Sequence, residues 1–221
     1  MTKEKAKFTP ALEKATGEIK YNMTNDYMFR ALFQQNTVAL KGLLSSLLHM
    51  PPENILSVEI MNPIVIGETI NDKEFRLDIK AVLNHYQQIN LEMQVVNRHD
   101  WPERSIGYLS RMYNSLQKGD QYINVKPAIH VGILNFSPFE GEPIFYSRNV
   151  LMDMNKHRIY SDKFQVNVLE LKQIELATEE DKKWNLDFWA KLFKARTWEE
   201  LKMIAKDNES FTEASNTLCD L

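Results

Sequence analysis

Residues 73–97, KEFRLDIKAVLNHYQQINLEMQVVN, alternate polar and apolar side chains almost without a break. Successive side chains of a strand point to opposite faces of its sheet, so a period of two fixes which residues can be buried together. Phe75, Leu77, Ile79, Ala81 and Leu83 form one apolar face, and Glu74, Arg76, Asp78 and Lys80 form the other. After NHYQQ the pattern resumes, with Ile89, Leu91, Met93 and Val95 apolar against Asn90, Glu92 and Gln94. Two such runs joined by a short polar segment predict a β-hairpin. A turn centred near His85 keeps both apolar sets on one face and sets Asp78 directly across from Glu92. A two-residue turn would split those sets between the faces, so the pattern argues against it.

Opposed carboxylates destabilise a strand pair unless something offsets their repulsion, and a divalent cation does so. Facing Cβ atoms lie about 4.5–5.5 Å apart, and Mg²⁺ takes oxygen ligands at about 2.0–2.1 Å, so one ion fits between Asp78 and Glu92. Mg²⁺ keeps several of its waters, and a bound metal turns water into a usable nucleophile while stabilising charge on a phosphoryl oxygen. Gln94 shares the face of Glu92 and is positioned to orient that water.

Around the hairpin the chain reads in a definite order. Residues 1–20 are charged and aperiodic, as in a mobile N-terminal arm. In TNDYMFRALFQQNTVALKGLLSSLLHM, Thr24 or Asn25 can cap a helix pair whose apolar stripe runs from Met28 to Leu48. A weaker strand, ILSVEIMNPIVIGE, precedes the hairpin. HDWPERSIGYLSRMYNSLQKG predicts a helix with Asp100 as cap, Glu103 three residues on, and Gly119 as its stop. PAIHVGILNF is a nearly continuous apolar run, suited to a strand buried on both faces. KFQVNVLELKQI is extended, and WNLDFWAKLF and WEELKMIA are amphipathic helices. The expected organisation is a core over 21–175 and a C-terminal helical appendage over 176–221.

Composition narrows the function. The chain has 221 residues, 43% hydrophobic and 26% charged, as a globular protein does. Its net charge of −3 gives no global polyanion-binding signature, so contacts to nucleic acid must come from a local patch. Cys219 is the single cysteine, which excludes an internal disulfide and fits a reducing compartment. No apolar run approaches the roughly 18 residues of a membrane span, and MTKEKAKFTP lacks the apolar centre of a signal peptide, so a cytoplasmic location is expected. His49, His85, His99, His130 and His157 have no close ligand spacing, which argues against zinc. With only 7 glycines there is no glycine-rich phosphate loop.

An Asp on the second strand and Glu-x-Gln on the third, in a helix–three strands–helix–strand order, resembles the PD-(D/E)XK nuclease superfamily. The segments NDYMFRALF, FRLDIKAVLNHYQQINLEMQVVN, ERSIGYLSRMYNSLQKGDQY, AIHVGILNF and VNVLELKQ resemble the recombination-promoting nuclease and transposase family. The resemblance implies an α/β restriction-endonuclease-like core with a mixed central sheet, acting as a Mg²⁺-dependent DNA endonuclease, with Mn²⁺ able to substitute. It implies that Asp78, Glu92 and the backbone carbonyl of Met93 hold the metal, that Gln94 stands where the superfamily has Lys, and that Asp26 supplies an extra acid. Replacing Lys by Gln removes a positive charge that could stabilise the phosphoryl transition state, so slow turnover is expected.

One rival motif competes. Glu170 and Lys172 in LELK spell Glu-x-Lys literally, but no hairpin places an acid opposite Glu170, which favours a structural role. On the helix after the hairpin, Arg104, Tyr108, Arg111, Ser115 and Lys118 recur at spacings of three and four and fall on one face, a stripe suited to DNA phosphates. Arg98 and His99 lie just before it. DNA is the expected partner, a membrane is not, and nothing excludes a homo-oligomer. The alternative reading is a catalytically weak nuclease fold that binds DNA or a protein.

Overall fold

The computed structural model describes residues 7–61, 78–114, 116–139 and 141–221, with Asp78 described by its backbone. In chain order the elements are α1 (Pro10–Lys14), α2 (Asp26–Gln35), α3 (Thr37–Leu48), β1 (Val58–Ile60), β2 (Asp78–Leu83), β3 (Gln87–Gln94), α4 (Trp101–Tyr113), β4 (Ala128–Leu134), β5 (Tyr146–Met152), β6 (Ile159–Glu170), α5 (Glu179–Lys183), α6 (Leu186–Lys194), α7 (Trp198–Ala205) and α8 (Glu209–Asp220). They fall into two compact units, one of residues 7–55 with 177–221 and one of 56–61 with 78–176.

The second unit is built on one six-stranded sheet in the order β1-β2-β3-β4-β6-β5. Pairing is antiparallel for β1/β2, β2/β3 and β5/β6, and parallel for β3/β4 and β4/β6. A parallel neighbour cannot be reached by a tight turn, so the chain between β3 and β4 crosses over through α4. The β2/β3 hairpin has the expected register, with Asp78 facing Glu92 and Leu83 facing Gln87. It reverses through Asn84 and His85, both left-handed with φ of 51° and 59°, the backbone that best matches strand twist in a tight hairpin. Asn84 suits this position, and its side-chain oxygen also accepts from the backbone amides of Leu56 and Ser57 at 2.8 and 3.2 Å, tying the turn to the segment that leads into β1.

Ile79, Ala81, Leu83, Ile89, Leu91 and Met93 are buried, as the alternation requires. Phe75 and Leu77, with Glu74 and Arg76, lie outside the described residues, as does the expected strand beyond Met61. Val95, assigned to the apolar face, lies past the end of β3 and is exposed. β4 is buried along its whole length, as predicted for AIHVGIL. β3 departs from simple alternation, because Asn90 and Glu92 on its polar face are buried too. The reason is α4, which lies over that face and packs Trp101 against Leu134, Phe136 and Val168. The edge strand β5 and β6 form a hairpin, paired from Tyr146 with Leu169 to Met152 with Ile159, with a register shift near Leu151 that the sequence reading did not anticipate.

The first unit is helical. Asn25 caps α2 by accepting from the Met28 amide at 3.1 Å. Asn36 ends α2 and caps α3, accepting from Ala39 at 3.0 Å while its amide donates to Thr217 of α8 at 2.8 Å. The rings of Phe29, Phe33, Trp189 and Phe193 form its centre, with centroids 5.0–6.2 Å apart. In the stretch expected to be an N-terminal arm, Leu12 is fully buried, and Glu18 bridges to Thr197 beside a 2.7 Å bond from the Ile19 amide to the Arg196 carbonyl. Two apolar residues in a charged stretch suffice to dock it. The helix pair α2–α3, expected with the sheet, clusters with the C-terminal helices.

Candidate active site

The hairpin register brings the backbone of Asp78 opposite Glu92, and two positions further along β3 the same face carries Gln94. Met93, between them, has its side chain fully buried, so only its backbone can serve a site on the opposite face. Asp26 is the first residue of α2, in the helical unit.

Glu92 is 1% exposed, which rules out a solvated surface acid. Its two oxygens have unlike environments. Oε1 accepts from Gln94 Nε2 at 2.8 Å, from Arg104 Nε at 2.8 Å and from Arg104 Nη2 at 2.7 Å. Oε2 faces His130 Nε2 at 3.4 Å, too long for a formed hydrogen bond, and neither atom has a hydrogen-bond partner among the described residues. Burial pushes the Glu92 carboxyl up, but the contact with His130 and the hydrogen bonds and charge of Arg104 outweigh it and hold the group below 4.5. Glu92 is therefore an anion at neutral pH, with one oxygen saturated by donors and the other open.

His130 is the residue that sequence reasoning missed. It sits on β4 beside Asn90 and is fully buried. Asn90 Nδ2 lies 3.0 Å from its Nδ1. Its ring stacks with Trp101 at 5.4 Å and with Tyr108 at 5.6 Å, the latter within 8° of parallel. Gly132 makes this possible, since a Cβ there would overlap the Trp101 ring. The signal was present in AIHVGILNF: a polar ring inside a strand buried on both faces must find polar partners. Ligand spacing was the wrong question to ask of it.

The stripe on α4 is partly different from expectation. Arg104, Tyr108 and Arg111 share the helix, but Arg104 is turned onto Glu92 and also lies over the Tyr108 ring at 5.3 Å. The helix stops at Tyr113, so Lys118 is outside it, in the turn closed by the 2.8 Å bond from the Gln117 amide to Asp120. Gly119, with φ of 100°, belongs to that turn rather than to a helix end. Ser115 lies outside the described residues. Asp100 occupies the position before α4 but makes no side-chain cap, its backbone being away from the extended region that capping requires. Arg111 and Lys118 are exposed.

Glu170 ends β6 on the same sheet face as Glu92, two strands away. Burial raises its carboxyl above the ordinary value, opposed by a hydrogen bond from Ser137 and one from the Ile144 backbone. Its neighbour in register on β4 is Leu134, so no acid faces it there.

No group of three or more His, Cys, Asp or Glu capable of holding a metal occurs among the described residues. Mg²⁺ does not need one, because it binds through one or two carboxylates and keeps its waters. The open, buried Oε2 of an ionised Glu92, opposite Asp78 in register, fits such an ion, since a buried carboxylate oxygen without a partner signals a missing one.

A mixed α/β sheet with an antiparallel hairpin carrying Asp and Glu-x-Gln, a crossover helix and a buried parallel strand defines a restriction-endonuclease-like fold. The chain belongs to the PD-(D/E)XK nuclease family transposases, whose family model matches residues 23–219. No curated protein and no solved structure matches the chain. Its family makes it nuclease- or transposase-like, with DNA the implied substrate and divalent metals the general cofactor. Among the described residues no helix is long and apolar enough to cross a membrane.

Proposed function

We propose that the protein is a Mg²⁺-dependent DNA endonuclease hydrolysing phosphodiester bonds in recombination or element mobility, with Mn²⁺ as a substitute ion. The observation that carries this reading is the buried, ionised Glu92, which has an unpartnered oxygen and stands opposite Asp78 in register. Asp78, Glu92 and the Met93 carbonyl hold the ion. When bound, the metal supplies an activated water and stabilises charge on the phosphoryl group. Arg104 and Gln94 fix Oε1, so the carboxylate is held in a constant orientation with Oε2 unpartnered. Gln94 keeps one amide hydrogen and its carbonyl oxygen for orienting the nucleophile. Arg111 and Lys118, exposed, and the outer edges of Arg104 and Tyr108 take the DNA backbone, as phosphate contacts that position without reading sequence.

A second reading, a catalytically weak nuclease fold that binds DNA or a protein, is favoured by one feature: Gln94 is uncharged and already donates to Glu92. A supercoiled-plasmid nicking assay with Mg²⁺, Mn²⁺ and Ca²⁺ separates the two. The endonuclease reading expects metal-dependent nicking that is lost in Asp78→Asn and in Glu92→Gln while both variants remain folded. Nicking at the wild-type rate in either variant refutes the site. DNA binding without nicking in any of the three ions supports the second reading.

A further inference from the structure

We infer that His130 is a positioning residue that fixes the open oxygen of Glu92 for the metal, and that Asn90 sets the tautomer it needs to do so. The inference rests on the metal site proposed above and adds a buried layer beneath it. His130 is fully enclosed and has no route to substrate, so it acts only through Glu92.

The geometry assigns each atom a task. A side-chain amide nitrogen has only hydrogens to offer, so Asn90 Nδ2 at 3.0 Å makes His130 Nδ1 the acceptor. A ring proton then sits on Nε2, the nitrogen that faces Glu92 Oε2 at 3.4 Å. At that separation the N–H holds the carboxylate by attraction without saturating the oxygen, which keeps lone-pair capacity for a cation. The opposite tautomer would set a bare nitrogen lone pair against the carboxylate and push it away. Ring orientation is fixed independently by the stack between Trp101 and Tyr108, and Trp101 reaches its place because position 132 is glycine. Arg104 and Gln94 restrain Oε1 while His130 restrains Oε2, so rotation of the carboxylate is blocked from both sides. Outer partners of this kind, when removed, typically weaken metal affinity about 10–100-fold.

The test is Mn²⁺ affinity of the free protein, measured by titration calorimetry well below the melting temperature and without DNA. His130→Phe keeps the ring, its volume and its stacking but removes both nitrogens, and is expected to bind Mn²⁺ at least about tenfold more weakly. His130→Gln restores an N–H at the same number of bonds from the backbone and is expected to recover most of that loss, which a purely structural role would not produce. If His130→Phe does not fold, Asn90→Leu decides: it frees the tautomer, and weaker Mn²⁺ binding supports the inference whereas unchanged binding overturns it. A folded His130→Phe with wild-type Mn²⁺ affinity overturns it directly. If Glu92→Gln abolishes Mn²⁺ binding while His130→Phe does not, this inference alone is refuted. If the wild type binds no Mn²⁺, or Glu92→Gln binds it equally well, the metal site itself is refuted.

Discussion

Replacing Arg104 by Met isolates the charge that holds Glu92 ionised, because Met keeps an apolar stem against Tyr108 and removes only the guanidinium. Surface ion pairs are worth about 0–1 kcal/mol, and breaking a fully buried one costs about 3–5 kcal/mol. This pair lies between those limits, since the Glu92 side chain is 2% exposed and that of Arg104 is 30% exposed. Two donors are lost from one carboxylate oxygen, while Gln94 and His130 remain, so the expected loss is about 2 kcal/mol. For a chain of this size that lowers the melting temperature by about 4–8 °C. The pH dependence gives the decisive sign. The Glu92 pKa is depressed in the folded state, so its contribution is fully present above the unfolded value, near 4.5, and is lost as pH falls through the lower folded value. The gap between wild type and Arg104→Met should therefore be full at neutral pH and close in acid below 4.5. Denaturant unfolding at both pH values measures it, and a double-mutant cycle with Glu92→Gln isolates the pair from packing. A gap of the same size in acid, or a coupling near zero at neutral pH, refutes the electrostatic account of this site.

Three further outcomes follow from particular residues. Gly132→Ala drives a Cβ into the Trp101 ring and should cost about 1–3 kcal/mol, read as a lower denaturation midpoint, with Trp101 fluorescence changed because the ring must leave its place. His85→Gly relieves a side chain held at φ of 59° and should stabilise the hairpin by about 0.5–1 kcal/mol, visible as a raised midpoint. Arg111→Ala combined with Lys118→Ala should weaken DNA binding equally across sequences and flatten its salt dependence by about two phosphate contacts, and an unchanged slope in binding isotherms would return both residues to ordinary surface charge.

The hairpin register was legible because a period of two is unforgiving: a slip of one residue would have put Ile79 and Leu91 on opposite faces, and both are buried. The burial of β4 was legible for a related reason, since seven residues without alternation have no face to give to water. The environment of Glu92 was not. Alternation says which residues share a face but not whether another element covers it, and the cover here comes from Trp101 and Tyr108 of α4, drawn down by a gap at Gly132 that is distant in sequence. Helical spacing likewise grouped Arg104 with Tyr108 and Arg111 but could not say that the first two turn toward the sheet. The two misreadings have one cause. Once α4 is laid on the polar face, an anion at Glu92 needs a cation, and the helix residue one turn in from Trp101 is the arginine that meets it. His130 must in turn satisfy its own ring from Asn90. A polar residue in the middle of AIHVGIL and an arginine in the first turns of the preceding helix are thus one feature of the fold, seen in the sequence as two unrelated exceptions to pattern.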